Sequence, residues 1–337
     1  MKMGVWTPLP HTVRREPRME TVIATLGRRG EGAGEENGLQ LAIETLQEAE
    51  RLGFEKTLIA ERFLGPDLEA WMLAAALATQ TRSIELMVAV HPGIVPPAVA
   101  AKMAATLDRI SGGRAAVNIV NGWWREEFEM FGCEPWLDRS DDRYARMDEY
   151  MEVLVRLWTG DRSDFAGRFY CLKDPQLPST PVTRPYPPIY TASMSPIGQA
   201  SVARIGDHWF ATPRTMTLTY RDFDQVLAEV GEAIAEVREM AAKHGRTLGY
   251  GLAAHVHCCG SQAEADAYVE GIERYGQEGV MNRFIARAAS YGLIGTPELI
   301  AERLRLYEAA GIDFTMLSFH PVIEGMRSFA RQVLPLV

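Results

Sequence analysis

Short apolar runs rich in Val, Ile and aromatic residues recur along the chain, and between them apolar residues return at helical spacing. The runs near 3–7, 55–60, 84–90, 115–120, 188–192, 207–211, 249–257 and 313–318 read as strands. The periodic stretches near 38–52, 69–81, 96–111, 140–158, 197–205, 219–244, 262–275, 297–310 and 323–335 read as helices. Strand and helix alternate, which calls for a parallel sheet, because parallel neighbours need a crossover long enough to hold a helix. Eight such units within 337 residues predict an α/β fold closed into a (β/α)8 TIM-type barrel, with a doubly wound open sheet as the alternative. Several helix starts carry physical signatures. Ser261-Gln-Ala-Glu264 is a capping box, and Thr296-Pro297 and Ser195-Pro196 each set an N-cap before a proline at the first helical position.

Three stretches exceed a minimal barrel. Residues 27–38 are glycine-rich and charged, 159–187 carry many prolines, and 276–295 lack periodicity. The chain is therefore expected to be one barrel domain over 1–337 with insertions there. Loops of that length on the strand-end face are expected to act as lids, with Gly276, Gly279 and Gly292 as hinges in the last.

Composition narrows the class. With 47% hydrophobic and 23% charged residues the sequence is that of an ordinary globular protein. A net charge of −9 argues against a nucleic-acid partner, which needs a basic face. Cys133, Cys171, Cys258 and Cys259 have no CxxC spacing, so neither a disulfide framework nor a zinc site is expected. The opening Met-Lys-Met-Gly-Val-Trp reads as a strand, and no apolar run reaches the roughly 18 residues of a membrane span. A cytoplasmic protein, neither exported nor anchored, is expected.

The most informative segment is Ala115 to Phe128. A β-branched run ends in Asn118, Asn121, Gly122 and the pair Trp123-Trp124, followed by acids. Polar residues at the carboxyl end of a parallel strand read as site residues, although an Asn-Gly turn explains the segment alone.

Ile110-Ser-Gly-Gly-Arg114, Asn118-Ile-Val-Asn-Gly-Trp123, Glu127 and Arg143-Tyr144 together resemble the luciferase-like flavin-dependent monooxygenases, nearest to the alkanesulfonate, dimethyl sulfone and pyrimidine group. The resemblance extends over Gly4-Val-Trp-Thr-Pro8, His91 to Ala104, Gly295 to Leu299 and Gly311 to Leu336. It implies a two-component enzyme. Reduced FMN, delivered by an NAD(P)H-dependent flavin reductase, would activate O2 to oxygenate a small molecule, and homodimers or homotetramers are usual in such proteins.

The same resemblance implies a set of site residues. Ala60 and Glu61 would pass the flavin ring at the end of strand two, and Asn118 would meet its polar edge. Glu127 would hold ribityl hydroxyls or position Arg143. Arg143, Tyr144 and Ser193 would grip the phosphate, with Ser193 ahead of a helix start suited to anions. Taken alone, residues 142–146 equally read as a helix surface, Ser193 as a turn residue and Glu127 as a solvated acid.

On the substrate side, alkanesulfonate monooxygenases carry Arg-x-His on the seventh strand, whereas this chain has Ala253-Ala-His255. A tyrosine before the proline after the last strand is replaced by His320, and Arg287 is an approximate counterpart of a lid arginine. Without the strand arginine a sulfonate lacks its cationic clamp, so a neutral molecule such as a sulfone is expected. His255 and His320 are the candidate acid–base groups, with ordinary pKa values near 6.5. Trp6, Phe63, Trp123 and Trp124 would wall the pocket, or simply fill core. His255 and His257 share a strand face, but the sequence offers no third ligand, so no metal is expected. Two other readings stay open: a deazaflavin-dependent oxidoreductase, and a flavin-binding protein without turnover.

Overall fold

The computed structural model describes residues 1–8, 38–60, 63, 67–122, 125–132, 135–213, 221–276 and 286–337. Its frame is strands β1 (Lys2–Trp6), β2 (Lys56–Ile59), β3 (Glu85–Val90), β4 (Ala115–Ile119), β7 (Ile189–Thr191), β8 (His208–Phe210), β9 (Gly249–Cys258) and β11 (Phe314–Phe319). Each pairs in parallel with the next, and β11 pairs back onto β1, so the sheet closes into the expected eight-stranded barrel. The surrounding helices are α1 (Gly38–Arg51), α2 (Ala70–Gln80), α3 (Pro97–Ser111), α4 (Arg125–Phe131), α5 (Ser140–Thr159), α6 (Pro196–Ile205), α7 (Phe223–Lys243), α8 (Gln262–Gly276), α9 (Pro297–Ala309) and α10 (Val322–Gln332). None of the helices in the described residues is long and apolar enough to cross a membrane.

Four elements were not expected. Helix α4 is short, the proline-rich stretch holds a hairpin of β5 (Phe165–Ala166) and β6 (Cys171–Leu172), and β10 (Ile294–Gly295) adds to the end of β9 at His257 and Cys258. The proline-rich stretch is tied down by Asp108 of α3, whose carboxylate accepts from the Val182 and Thr183 amides at 2.7 and 2.8 Å and from the Thr183 hydroxyl. The expected N-caps form, with the return bond of the capping box going to Gly260 instead of Ser261. Ser195 Oγ accepts from Gly198 N, Thr296 from Leu299 N and Ser261 from Glu264 N, while Glu264 Oε2 accepts from Gly260 N.

The barrel interior is filled, which decides where a ligand can sit. At its amino-terminal end Lys56 Nζ donates to Glu85 at 2.9 Å and to the Tyr190 hydroxyl at 2.8 Å, and Tyr190 donates to Glu85 at 2.7 Å. Above this network Leu58, Met87, Ala116, Phe210, Phe314 and Met316 form a plug, on which Trp6, Ala89 and Ala253 pack. Gly251 makes room for it: a Cβ there would lie 2.2 Å from the Phe314 ring. A packed centre leaves only the carboxyl ends of the strands as a floor for chemistry.

Candidate functional site at the barrel mouth

The strand ends present buried polar atoms that the protein leaves unsatisfied. Asn118 on β4 is 4% exposed, and its Oδ1, like Asn121 Oδ1 beyond the same strand and Thr212 Oγ1 beyond β8, has no hydrogen-bond partner among the described residues. An unmet buried acceptor or hydroxyl costs about 1–3 kcal/mol, so such atoms clustered at one end of a barrel suit a polar ligand that satisfies them. Nearby, Ser193 beyond β7, Gly198 in the first turn of α6 and Tyr144 of α5 close on one another. A Cβ at Gly198 would lie 2.4 Å from the Tyr144 ring and 2.7 Å from Ser193 Oγ. A helix N-terminus with a hydroxyl, a phenol and no intervening side chain is a cradle for an anion.

Opposite lies a histidine group. His255 on β9 is 2% exposed; its Nε2 stands 2.7 Å from the Tyr268 hydroxyl of α8 and its Nδ1 3.4 Å from Ser318 Oγ of β11. Its ring centroid is 5.5 Å from that of His320, and His257 stacks on Tyr268 at 3.9 Å. Burial, reinforced by His320 and His257, holds His255 well below the usual imidazole range. Burial and the neighbouring His257 lower His320 as well. This corrects the expectation of ordinary pKa values: both rings are neutral near pH 7, so neither stores a proton as imidazolium.

The family described as luciferase-like monooxygenase matches residues 19–314 of the chain. The chain belongs to that family. It is 33% identical to an FMNH(2)-dependent dimethylsulfone monooxygenase from Pseudomonas putida, covering 86% of each chain. Among solved structures it resembles an EDTA monooxygenase from Chelativorans sp. BNC1, with TM-score 0.76 at 17% identity, covering 100% of this chain and 93% of that one. An F420-dependent secondary alcohol dehydrogenase in complex with an F420-acetone adduct has TM-score 0.72 at 18% identity, covering 100% and 98%. The barrel alone therefore does not select the flavin.

Within this luciferase-like barrel the expected residues fall unevenly. Asn118, Tyr144, Ser193, His255 and His320 lie at or beyond strand ends, or pack against residues that do. Ala60 directly follows β2, and Trp6 ends β1 against the plug. Phe63 packs edge-on against Phe131 at 4.9 Å and His91 at 6.0 Å. Glu127 is 3% exposed in the first turn of α4, so it is not a solvated acid. Glu61, Trp123 and Trp124 lie outside the described residues, as do most of 27–38 and residues 277–285.

The arginines are the surprise. Arg143 Nη1 donates to the carbonyls of Leu137 and Asp138 at 2.5 and 3.0 Å, and its guanidinium covers the Trp136 ring at 4.6 Å, which ties it to the 135–139 loop. Arg287 instead reaches Met194, the residue after Ser193, with Nη2 2.8 Å from the sulfur. Two residues escaped sequence reasoning. Tyr268 sits on a helix thirteen positions beyond His255 and gives no sequence signal of their contact. Arg146, 1% exposed, lies beneath Gly93, where a Cβ would come within 2.6 Å of its guanidinium; the glycine of His91-Pro-Gly93 was the available clue.

Proposed function

We propose that the chain is an FMNH2-dependent monooxygenase that oxygenates a small neutral organosulfur compound, a sulfone such as dimethyl sulfone being the first choice. The observation that carries this is the 33% identity, over most of both chains, to a dimethylsulfone monooxygenase. Ala253, in place of a cation on the strand that bears His255, agrees with an uncharged substrate.

The residues present fit the cofactor. The unsatisfied oxygens of Asn118, Asn121 and Thr212 suit the N–H groups and hydroxyls of a flavin, and the Ser193, Gly198 and Tyr144 cradle suits its phosphate, with Arg287 or Arg143 as the cation. Reduced FMN, when bound, supplies the electrons that activate O2. The protein contributes the rest. The plug and Trp6 keep water out from below, and neutral His320 offers a ring N–H or N group for hydrogen bonds to the reacting atoms without delivering a charge, while His255, its ring nitrogens engaged by Tyr268 and Ser318, packs beside it and positions it. Ala60, Glu61 and Glu127 complete the cofactor surroundings, and Phe63 and Trp123 the substrate side. A separate NAD(P)H-dependent reductase delivers the flavin, and the assembly is a cytoplasmic homodimer or homotetramer.

Anaerobic titration distinguishes this reading from the deazaflavin alternative. Reduced FMN is expected to bind saturably and reduced F420 weakly or not at all. The opposite preference overturns the assignment in favour of hydride transfer.

A further inference from the structure

The turn between β9 and α8 gathers three metal-ligating side chains that none of the flavin chemistry uses. A nitrogen of His257, the sulfur of Cys259 and a carboxylate oxygen of Glu264 all lie within 4.8 Å of one another. We propose that His257, Cys259 and Glu264 form a binding site for a borderline-soft divalent cation, zinc foremost, at the edge of the barrel mouth.

The donor set argues for the metal. One imidazole, one thiolate and one carboxylate match zinc, which takes N, S and O donors in a four-coordinate shell and tolerates an open fourth position. Magnesium and calcium demand oxygen donors and are poorly served by sulfur. In a tetrahedral zinc site with bonds of about 2.0–2.3 Å, the ligand atoms stand roughly 3.5 Å apart, so closing this trio takes about 1 Å of side-chain movement.

The ligands are held in a way that leaves lone pairs open to a metal, the Cys259 thiol only donating a long contact to the His257 carbonyl at 3.9 Å. The His257 ring lies flat on Tyr268, with 9° between planes, which fixes the ring while its in-plane nitrogens stay at the rim. Its backbone N–H donates to Leu293 O at 3.1 Å, and that of Cys259 to Gly295 O at 2.8 Å, so the 293–295 segment anchors both ligands. Glu264 accepts the Gly260 amide through Oε2 at 2.8 Å, which orients the carboxylate and leaves Oε1 for a metal. That capping bond accounts for Glu264 in the fold, but not for a buried thiol and an imidazole converging on the same point. Burial pushes the Cys259 thiol up to about 11, so binding must displace its proton: the cation enters, one S–metal bond forms and one proton leaves to solvent.

The sequence showed His257 and Cys259 without a third ligand beside them, so no metal was expected. Only the strand end and the first turn of α8 bring residue 264 back to residue 257.

Cobalt(II) alone is the probe, titrated into the metal-free full chain. One equivalent is expected to bind with a near-ultraviolet thiolate-to-cobalt band and the visible absorption of a four-coordinate ion, and zinc is expected to bleach both. Cys259→Ser should abolish the near-ultraviolet band, whereas Cys258→Ser and Cys171→Ser keep it. Should Cys259→Ser fail to fold, His257→Phe, which keeps the stack on Tyr268, and Glu264→Gln, which keeps the bond to Gly260, decide the matter, each weakening cobalt binding by about tenfold or more. A parent chain with no thiolate band at millimolar cobalt, a band that survives Cys259→Ser, or unchanged affinity in both His257→Phe and Glu264→Gln overturns the site.

Discussion

The Tyr268 hydroxyl stands 2.7 Å from Nε2 of His255 and ties the buried ring to α8. Ser318 Oγ donates to the Ala254 carbonyl at 3.4 Å, so toward His255 Nδ1, also at 3.4 Å, it acts as acceptor. The tautomer that satisfies all three groups has Nδ1–H donating to Ser318 and Nε2 accepting from Tyr268. Tyr268→Phe leaves a buried nitrogen without its donor and is expected to destabilise the fold by about 1–2 kcal/mol in urea unfolding. Unchanged stability would mean that the bond is not made.

Removing the amide at the mouth should separate binding from productive turnover. Asn118→Ala is expected to bind reduced FMN within a few-fold of the parent but to release more hydrogen peroxide per organic product, because the ring is held less firmly. Product-to-peroxide ratios check this, and an unchanged ratio removes Asn118 from the ring contacts.

Much of the barrel was legible because its signals are local. A strand such as 115–119 announces itself through β-branched residues, and a helix such as α9 through Thr296-Pro297. Helix α4 is too brief for helical periodicity to register, and the two-residue strands β5 and β6 have no alternation to read. The site was legible in residue type more than in environment. His255 and His320 could be picked out, but their neutrality follows from burial and from each other's neighbours, which only the folded chain sets. The loop carbonyls of Leu137 and Asp138 that engage Arg143, the expected phosphate cation, are invisible in one dimension.

The two arginines give a graded prediction. Arg287, beside Met194 and hence the Ser193 cradle, is expected to matter more for the phosphate than loop-bound Arg143. Arg287→Ala should weaken reduced FMN by about 1.5–3 kcal/mol, the usual worth of a hydrogen bond to a charged group, and Arg143→Ala by less. Anaerobic titration of both variants checks the order, and the reverse order returns the phosphate to Arg143.

Acid should weaken the barrel from its amino-terminal end. His208 stacks on Tyr190 at 4.3 Å, and burial, with the Lys56 charge next in weight, lowers it to about 4. The unfolded chain binds this proton near pH 6.5 and the fold only near 4, so the contribution of His208 is complete above pH 6.5 and is lost as pH falls toward 4. The loss amounts to about 2–3 kcal/mol. Urea unfolding at pH 7 and pH 4.5 should show a smaller acid loss in His208→Phe, which keeps the stack, than in the parent. Equal losses would place the acid sensitivity elsewhere.

The central claim is oxygen transfer from O2 to a sulfone with reduced FMN as the reductant. The direct measurement supplies the chain with FMN, NAD(P)H, a flavin reductase, dimethyl sulfone and 18O2, and follows the label by mass spectrometry. One labelled oxygen atom in the organic product for each sulfone consumed is the predicted result. Consumption of sulfone without label, or hydrogen peroxide as the sole product across sulfones and sulfonates alike, would contradict it.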